Sequence, residues 1–382
     1  MAVQRRTRRI LGALTASLVT AALATAPGAT ASAASCEVWS GVPPPNPGAA
    51  QNVFGGVAAP GPCNVWAVGF YRDVTDGQVL SLAEHWNGSA WKVEPTPSPD
   101  TGINSLRAVS AAAGGDVWAV GFTGGNTFIL HWNGTAWTQS PSPSPSSNTN
   151  DLSGVAAVSA TDAWAVGQFF GAAGAKPLVL HWNGQNWLQA AAPTPGSDGV
   201  LSAVAATSAR DAWAVGSFTA SSRPKTLIEH WNGTKWVQVP SPNPTVPVSE
   251  IGLNGVAATS ASNAWAVGTY TTGGMDKTLI EHWNGRAWKL VGSPNPARGN
   301  SLLGVAATSA GNAWAVGLRT TSTSEQTLIE RWNGTAWKQV PSPSPSPSSE
   351  LAGVAGTSAS NVWAVGSFSA GGQTHLLAAH CC

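Results

Sequence analysis

The chain has 382 residues, of which only 10% are charged, and its formal net charge is +1. A protein that binds nucleic acid or an anionic membrane by charge needs Lys and Arg clustered on one face. The sequence has no such cluster beyond residue 9, so its composition argues against nucleic acid as a partner.

The N-terminus has the three parts of a secretory signal peptide. Four arginines within residues 5–9 precede an apolar run over residues 10–26, and small-x-small sites follow at residues 29–31 and 31–33. We therefore predict a signal peptide over residues 1–33 and an extracellular mature chain.

Two alternatives concern the same segment. The run over residues 10–26 would act as a membrane anchor if it were retained, although it is Ala- and Thr-rich and short for a span. Residues 7–11 also resemble a twin-arginine export signal, which leaves the export route open. No second hydrophobic stretch of spanning length follows, so we expect no membrane span in the mature chain.

The rest of the chain is built on a five-residue motif, Ala-Trp-Ala-Val-Gly or Val-Trp-Ala-Val-Gly. The motif recurs every 46 to 52 residues. A period of about fifty residues is typical of a solenoid, a propeller or an array. The seven motif tryptophans are Trp66, Trp118, Trp164, Trp213, Trp265, Trp314 and Trp363.

The fifth repeat shows four short strands. Residues 255–260 are small and β-branched, and residues 264–270 are apolar on both faces, as expected of a strand that is buried on both sides. Residues 278–283 form a third strand, Asn284-Gly285 is a strong hairpin signal, and residues 287–291 return as a fourth strand. Four short antiparallel strands in each repeat predict a propeller blade.

The distribution of side-chain size supports this choice. The first strand of each repeat consists of Gly, Val and Ala, whereas the third and fourth strands carry Trp. In a ring of radial sheets the innermost strands crowd the axis, so small residues belong there and indoles pack between the outer parts of the blades. We predict an all-β protein, a seven-bladed β-propeller of four-stranded antiparallel blades.

The two ends of the chain complement each other. There are seven motif strands but only six Trp-Asn-Gly hairpins, so the last repeat lacks its fourth strand. Trp39 precedes Trp66 by 27 residues, as Trp91 precedes Trp118. We predict that an N-terminal strand completes the C-terminal blade and that residues 34–382 form a single domain. We also expect the protein to be a monomer.

The repeat resembles a known one. The segments Gly-Val-Ala-Ala, Trp-Ala-Val-Gly, Glu-His-Trp-Asn-Gly and Ala-Trp-Lys-Gln-Val-Pro are similar to the kelch repeat, although the second strand ends in one glycine rather than two. This resemblance implies a propeller that serves as a binding scaffold, or, in a few relatives, a copper radical oxidase. Such an oxidase needs a Tyr near the axis, and Tyr71 and Tyr270 lie four repeats apart, so we expect no copper site.

Pro-Ser tracts over residues 141–147 and 341–349 are predicted to connect consecutive blades, because the repeat period continues through them. Domain linkers and O-glycosylation sites are the alternatives.

A histidine precedes the hairpin Trp in most repeats. Equivalent positions lie around the ring and do not converge, so we expect local hydrogen bonds and neither a metal nor a cofactor. The periodic Glu and Asp residues, such as Glu84 and Asp211, are interpreted as ladder and turn residues. The histidines are His85, His131, His181, His230 and His282, with His380 in the last repeat.

Charged residues outside the repeat pattern gather in the loops between the second and third strands. Variable loops on a rigid frame are common binding sites. We therefore predict that these residues form a binding site on the face of the ring that carries the loops. They are Arg72, Asp73, Asp76, Arg223, Lys225, Asp276, Lys277, Arg319, Glu325 and His375.

An aromatic residue lies two positions beyond the glycine of the second strand in five repeats, and Phe122 lies one position earlier in the second repeat. One interpretation is a set of sugar-stacking platforms, and the alternative is packing between blades at the strand ends. These residues are Tyr71, Phe169, Phe218, Tyr270 and Phe368.

The sequence contains no nucleophile, acid/base, zinc or phosphate-loop motif. We therefore expect a secreted protein without catalytic activity that binds an extracellular glycan or protein. The alternative is an extracellular polysaccharide-active enzyme whose site lies on the same loop face.

Three of the four cysteines belong to the last hairpin, which is assembled from the two ends of the chain. Cys381 and Cys382 occupy the Trp and Asn positions of the last hairpin, and Cys36 occupies its Gly position. Cys63 lies in the first turn of the first repeat. We predict disulfides Cys36–Cys382 and Cys63–Cys381. The alternatives are the swapped pairing and a free or vicinally bonded Cys381–Cys382 pair.

Overall fold

The computed structural model describes residues 38–72, 74, 77–112, 115–172 and 174–382. The predicted signal peptide, together with Cys36, Asp73 and Asp76, lies outside these residues. The part of the chain that is described contains no helix long and apolar enough to cross a membrane.

The described residues form 28 strands. In chain order they are β1 (Ser40–Gly41), β2 (Gln51–Gly61), β3 (Asn64–Arg72), β4 (Val79–Trp86), β5 (Trp91–Glu94), β6 (Asn104–Ala111), β7 (Val117–Thr123), β8 (Asn126–Trp132), β9 (Trp137–Gln139), β10 (Asn150–Ser159), β11 (Asp162–Gly171), β12 (Gly174–Trp182), β13 (Trp187–Ala190), β14 (Ser197–Ser208), β15 (Asp211–Ala220), β16 (Arg223–Trp231), β17 (Trp236–Gln238), β18 (Glu250–Ser260), β19 (Asn263–Thr272), β20 (Met275–Trp283), β21 (Trp288–Leu290), β22 (Gly299–Ser309), β23 (Asn312–Thr320), β24 (Glu325–Trp332), β25 (Trp337–Val340), β26 (Ser349–Ser358), β27 (Asn361–Ala370) and β28 (Gln373–Cys381).

Five of the sheets contain four antiparallel strands that follow one another in sequence: β6–β9, β10–β13, β14–β17, β18–β21 and β22–β25. Each of these sheets is one sequence repeat. The four-strand interpretation of the repeat is therefore confirmed.

The sixth sheet has eight strands and contains both ends of the described chain. Its order is β26-β27-β28-β2-β3-β4-β5, and β1 pairs with β28. One parallel bridge, between Gln51 and Thr374, joins β28 to β2. The antiparallel pairs Ser40–His380 and Gly41–Ala379 attach β1 to β28. The N-terminal strand thus completes the final repeat, as the spacing of Trp39 predicts.

Tryptophans join each repeat to the next. In the first two repeats, the ring centroid of Trp66 lies 4.8 Å from that of Trp132. The same contact connects the last repeat to the first, because Trp363 lies 5.1 Å from Trp86 and 5.3 Å from Trp91. The sheets therefore close into a ring, as in a β-propeller.

The first strands approach one another so closely that only small residues fit. A Cβ added to Gly154 would lie 2.8 Å from the Cα of Ala203 in the next repeat, and one added to Gly353 would lie 3.2 Å from the Cα of Gly56. The gradient from small inner residues to outer indoles follows from this backbone contact.

Each Pro-Ser tract connects two consecutive repeats and is hydrogen-bonded to the third strand of the repeat that precedes it. Thr127 Oγ1 lies 2.8 Å from Ser142 Oγ, and the backbone N–H of Thr127 donates to Ser144 Oγ at 3.1 Å. Thr327 makes the same contacts with Ser342 and Ser344 in the second tract. These bonds place the tracts within the repeats and not between separate domains.

The structure corrects the predicted disulfides. One predicted pair contains Cys382 and the other contains Cys63, and each of these two cysteines is free. The hairpin of the first repeat packs against the first turn of that same repeat, since a Cβ on Gly88 would lie 2.9 Å from the Cβ of Cys63. The predicted Cys63–Cys381 bond would need Cys63 beside the last hairpin instead. Cys381 is fully buried, and any bond to Cys36 lies outside the described residues.

Removal of residues 34–50 is expected to destabilise the ring. The deletion removes Trp39, whose ring packs edge-on against Trp314 at 5.6 Å, and leaves the edge of β28 unpaired. A lost buried Trp costs about 3 to 5 kcal/mol, so in a domain of this size we expect a melting temperature lower by roughly 5 °C, or aggregation. Thermal denaturation with light scattering measures both. A truncation that begins at Val38 is the control, and equal melting of both variants would contradict closure by β1.

Candidate axial binding site

A bulge in the first strand of every repeat points one residue toward the axis. In β6, for example, the register shifts between Leu106 and Ala108, which leaves Arg107 unpaired. Bulges commonly redirect side chains near sites in this way. The seven bulged residues all line one cavity at the end of the axis: Gly55, Arg107, Ser153, Ser202, Asn254, Leu303 and Ala352.

This cavity has a volume of about 590 Å³ and is not symmetric. Gly55 has no side chain and Ala352 has only a methyl group, so the space widens over the first and last repeats. Its walls come from the ends of strands in the first, second and last repeats, and they include Phe70, Arg72 and Glu350. A narrower cavity of about 160 Å³ is lined by all seven first strands.

Arg107 is held in a fixed position within the cavity. Its Nη2 lies 2.9 Å from Asp151 Oδ2 in the next repeat, and its guanidinium lies 5.2 Å from the ring centroid of Phe122. The Asp151 side chain is 9% exposed, whereas that of Arg107 is 48% exposed. Burial raises the pKa of Asp151, and the charge and hydrogen bond of Arg107 oppose that rise. The guanidinium is therefore anchored on one edge and open on the others.

Two further charges lie at the rim. Glu350 accepts a hydrogen bond from Ser367 Oγ at 3.2 Å, and Arg72 is exposed at the end of β3. Neither side chain forms an ion pair with any residue that the structure describes. Both side chains line the cavity.

The cavity is where the repeats differ most in chemistry. Phe70 and Phe122 follow the second-strand glycine in the first two repeats and line the cavity. The other five repeats have smaller or polar residues there, or Leu. They are Gln168, Ser217, Thr269, Leu318 and Ser367. Arg107 is likewise the one charged residue among the seven bulge positions.

Only one of the predicted loop residues lies at this cavity within the described part of the chain. Arg72 lines it, whereas Asp73 and Asp76 are outside the described residues. The others lie around the ring in β16, β20, β23, β24 and β28 and are not brought together: Arg223, Lys225, Asp276, Lys277, Arg319, Glu325 and His375.

The predicted aromatic platforms are partly buried between repeats. Each packs against a different hydrophobic cluster, which favours the packing alternative over sugar stacking. They are Phe368, Phe169, Phe218, Tyr270 and Tyr71.

Sequence reasoning missed Phe70, Arg107 and Glu350, and it noted Phe122 only among the aromatic residues that follow the second-strand glycine. A comparison of each strand position across the seven repeats would have singled them out, because each is large or charged where most repeats have small or neutral residues. The bulge that directs Arg107 to the axis has no such signal, since it follows from strand register.

The periodic histidines make the local hydrogen bonds that were expected of them. His230 Nε2 lies 2.7 Å from Asp211 Oδ1, and its ring stacks on Trp213 with centroids 4.2 Å apart. Burial lowers the pKa of His85, His282 and His380. Within the described ranges no group of three or more His, Cys, Asp or Glu is arranged to hold a metal ion.

No protein-family model matches the sequence, and no curated protein matches it. Several solved structures share its fold. YCF48 from Cyanidioschyzon merolae is 16% identical over 90% of this chain and 98% of its own, with a TM-score of 0.54. The WD40 repeats of RRP9 are 9% identical over 86% of this chain and 94% of their own, with a TM-score of 0.57.

A GH74 xyloglucanase from Xanthomonas campestris is also similar, at 14% identity over 86% of this chain and 53% of its own, with a TM-score of 0.55. Identities this low show the fold alone. The chain is therefore a β-propeller protein, and the likeness is not specific to kelch repeats.

Proposed function

We propose that this chain is a secreted, seven-bladed β-propeller that binds an extracellular glycan or protein through its axial cavity and does not catalyse a reaction. The observation that carries the proposal is the clustering of Phe70, Arg72, Arg107, Phe122 and Glu350 at one cavity of an otherwise repetitive ring. A kelch-like repeat, a monomeric state and the absence of nucleic-acid partners belong to the same proposal.

The carboxyl groups favour binding over glycoside hydrolysis. Most glycosidases need two carboxyls on either side of the scissile bond. Glu350 is the one acidic residue among the described residues that line the cavity. Asp151 lies behind Arg107 and is paired with it at 2.9 Å. The competing function is a polysaccharide-active enzyme, which the shared fold of the GH74 xyloglucanase makes worth testing.

The proposal is tested with a variant that fills the cavity. Ala352→Phe places a ring at the bulge of the last repeat, and Val246→Phe places the same ring on a surface residue that is 46% exposed and lies outside the cavity. We expect a screen of extracellular glycans and proteins to identify a ligand that the wild type and Val246→Phe bind. Ala352→Phe should bind it at least tenfold more weakly.

Thermal melting of both variants checks that they fold. Equal binding by Ala352→Phe would place the site elsewhere. Release of reducing sugar from a bound polysaccharide, lost in Ala352→Phe, would show an enzyme instead.

A further inference from the structure

The two arginines and two phenylalanines of the cavity lie on neighbouring repeats. Phe70 and Arg72 end β3, and Phe122 is in β7, directly beside the guanidinium of Arg107. The bridge between Val79 and Ile103 joins these two repeats at the cavity wall. One side of the cavity is therefore both cationic and aromatic.

The bulge residues on the other side are mostly small and polar. Ser153, Ser202 and Asn254 are the bulge residues of the third, fourth and fifth repeats, and Glu350 lies two residues before the bulge of the last repeat. The Asn254 Nδ2 already donates to Leu302 O at 2.8 Å, which leaves its carbonyl oxygen to accept. Hydroxyls and a carboxylate at these positions suit a ligand that carries many hydroxyl groups.

We propose that the cavity binds an acidic saccharide, with the uronate carboxylate on Arg107 and Arg72, and with hydroxyl groups directed to Glu350, Ser153 and Ser202. The inference deepens the proposed function and rests on it. A guanidinium already fixed by Asp151 and Phe122 loses little conformational freedom when it forms further hydrogen bonds to a carboxylate. Phe70 and Phe122 line the same cavity, and an aromatic ring can pack against the apolar side of a sugar ring.

The charges favour a single carboxylate over a phosphate. Asp151 lies 2.9 Å from Arg107, and Glu350 lines the cavity together with both arginines, so a dianion would meet two carboxylates as well as two guanidinium groups. The shape favours a small ligand over a protein surface, because a concave space of about 590 Å³ is within the range of small-molecule sites.

Calorimetric titration of the whole mature protein with trigalacturonate and with its methyl ester tests this assignment. We expect the acid to bind at least tenfold more tightly than the ester. Arg107→Gln combined with Asp151→Asn, which removes the ion pair as a unit, should abolish that difference. Arg223→Gln changes an exposed arginine at the start of β16, outside the cavity, and should leave the difference intact. Arg107→Lys should weaken binding of the acid.

Equal binding of acid and ester would overturn the assignment, as would unaltered binding by the Arg107 double variant. An absence of binding by trigalacturonate, triglucuronate and trimannuronate would also overturn it. If a neutral glycan or a protein then bound in a way that Ala352→Phe prevents, the proposed function would stand without this inference.

Discussion

The melting temperature of this protein is expected to fall steeply between pH 5 and pH 8, because four glutamates are fully buried. They lie at one position of the third strand, in β4, β16, β20 and β24. Two other repeats have leucine there, and the last has alanine. Burial raises the pKa of each carboxyl to about 8. The residues are Glu84, Glu229, Glu281 and Glu330.

Almost nothing compensates for this burial. Ser241 Oγ lies 3.0 Å from both carboxylate oxygens of Glu281, and this hydrogen bond lowers the pKa of Glu281 against the larger effect of desolvation. The carboxyl oxygens of Glu84, Glu229 and Glu330 have no hydrogen-bond partner among the described residues. These three groups are therefore expected to be protonated at neutral pH.

The direction of the pH dependence follows from the carboxyl pKa values in the unfolded chain and in the folded protein. In the unfolded chain the carboxyl pKa is near 4.5, and in the folded protein it is about 8. Below pH 4.5 both states are protonated, so the stabilisation is fully present. Above it the unfolded chain releases protons that the folded protein retains. The free energy of unfolding then falls by roughly 1 kcal/mol per pH unit for each group, until the folded protein also deprotonates near pH 8.

Thermal unfolding at pH 5 and pH 8 measures this effect. Replacing all four residues by Gln should flatten the pH dependence and raise the melting temperature at pH 8 above that of the wild type. Glu250→Gln changes an exposed glutamate and serves as the matched control. Parallel pH curves for the wild type and the quadruple variant would show that these carboxyls do not control stability.

The strands and the closure of the ring could be predicted because a spacing that is seen in complete repeats can be applied to the incomplete one. The spacing of Trp39 from Trp66 was sufficient to place β1, since the same spacing recurs within intact repeats. The burial of the glutamates could not be read in this way. A Glu that recurs in a third strand looks like a solvent-facing ladder residue, and only the packing of neighbouring sheets shows that both faces of that strand are covered.

The site was harder to predict because its contacts join different repeats. Arg107 meets Asp151 across a sheet boundary, and the sequence does not show how far one repeat is displaced along the next. The same uncertainty explains the error for Cys63, which was assigned to the neighbouring hairpin and instead lies against Gly88 of its own repeat. Periodicity predicts well which positions are equivalent. Contacts between repeats can be predicted only when the displacement of one repeat along the next is known.

Gly268→Ala is expected to destabilise the protein by roughly 3 kcal/mol or more. A Cβ on Gly268 would collide with the carbonyl oxygen of Gly252 and lie 2.8 Å from the Cα of Leu253. Both are backbone atoms of the bulged first strand, so no side-chain rotation relieves the collision. The equivalent glycine of every repeat faces the same carbonyl: Gly69, Gly121, Gly167, Gly216, Gly317 and Gly366.

Denaturant unfolding of Gly268→Ala beside Gly292→Ala isolates this cause. Gly292 has no atom within 4 Å of an added Cβ and no positive φ, so its substitution should change the free energy of unfolding by about 0.5 kcal/mol or less. The bulge that creates the collision also turns Asn254 toward the axial cavity. A Gly268→Ala variant as stable as Gly292→Ala would mean that the first strand can shift without cost, and the bulge would then not be fixed by its neighbouring strand.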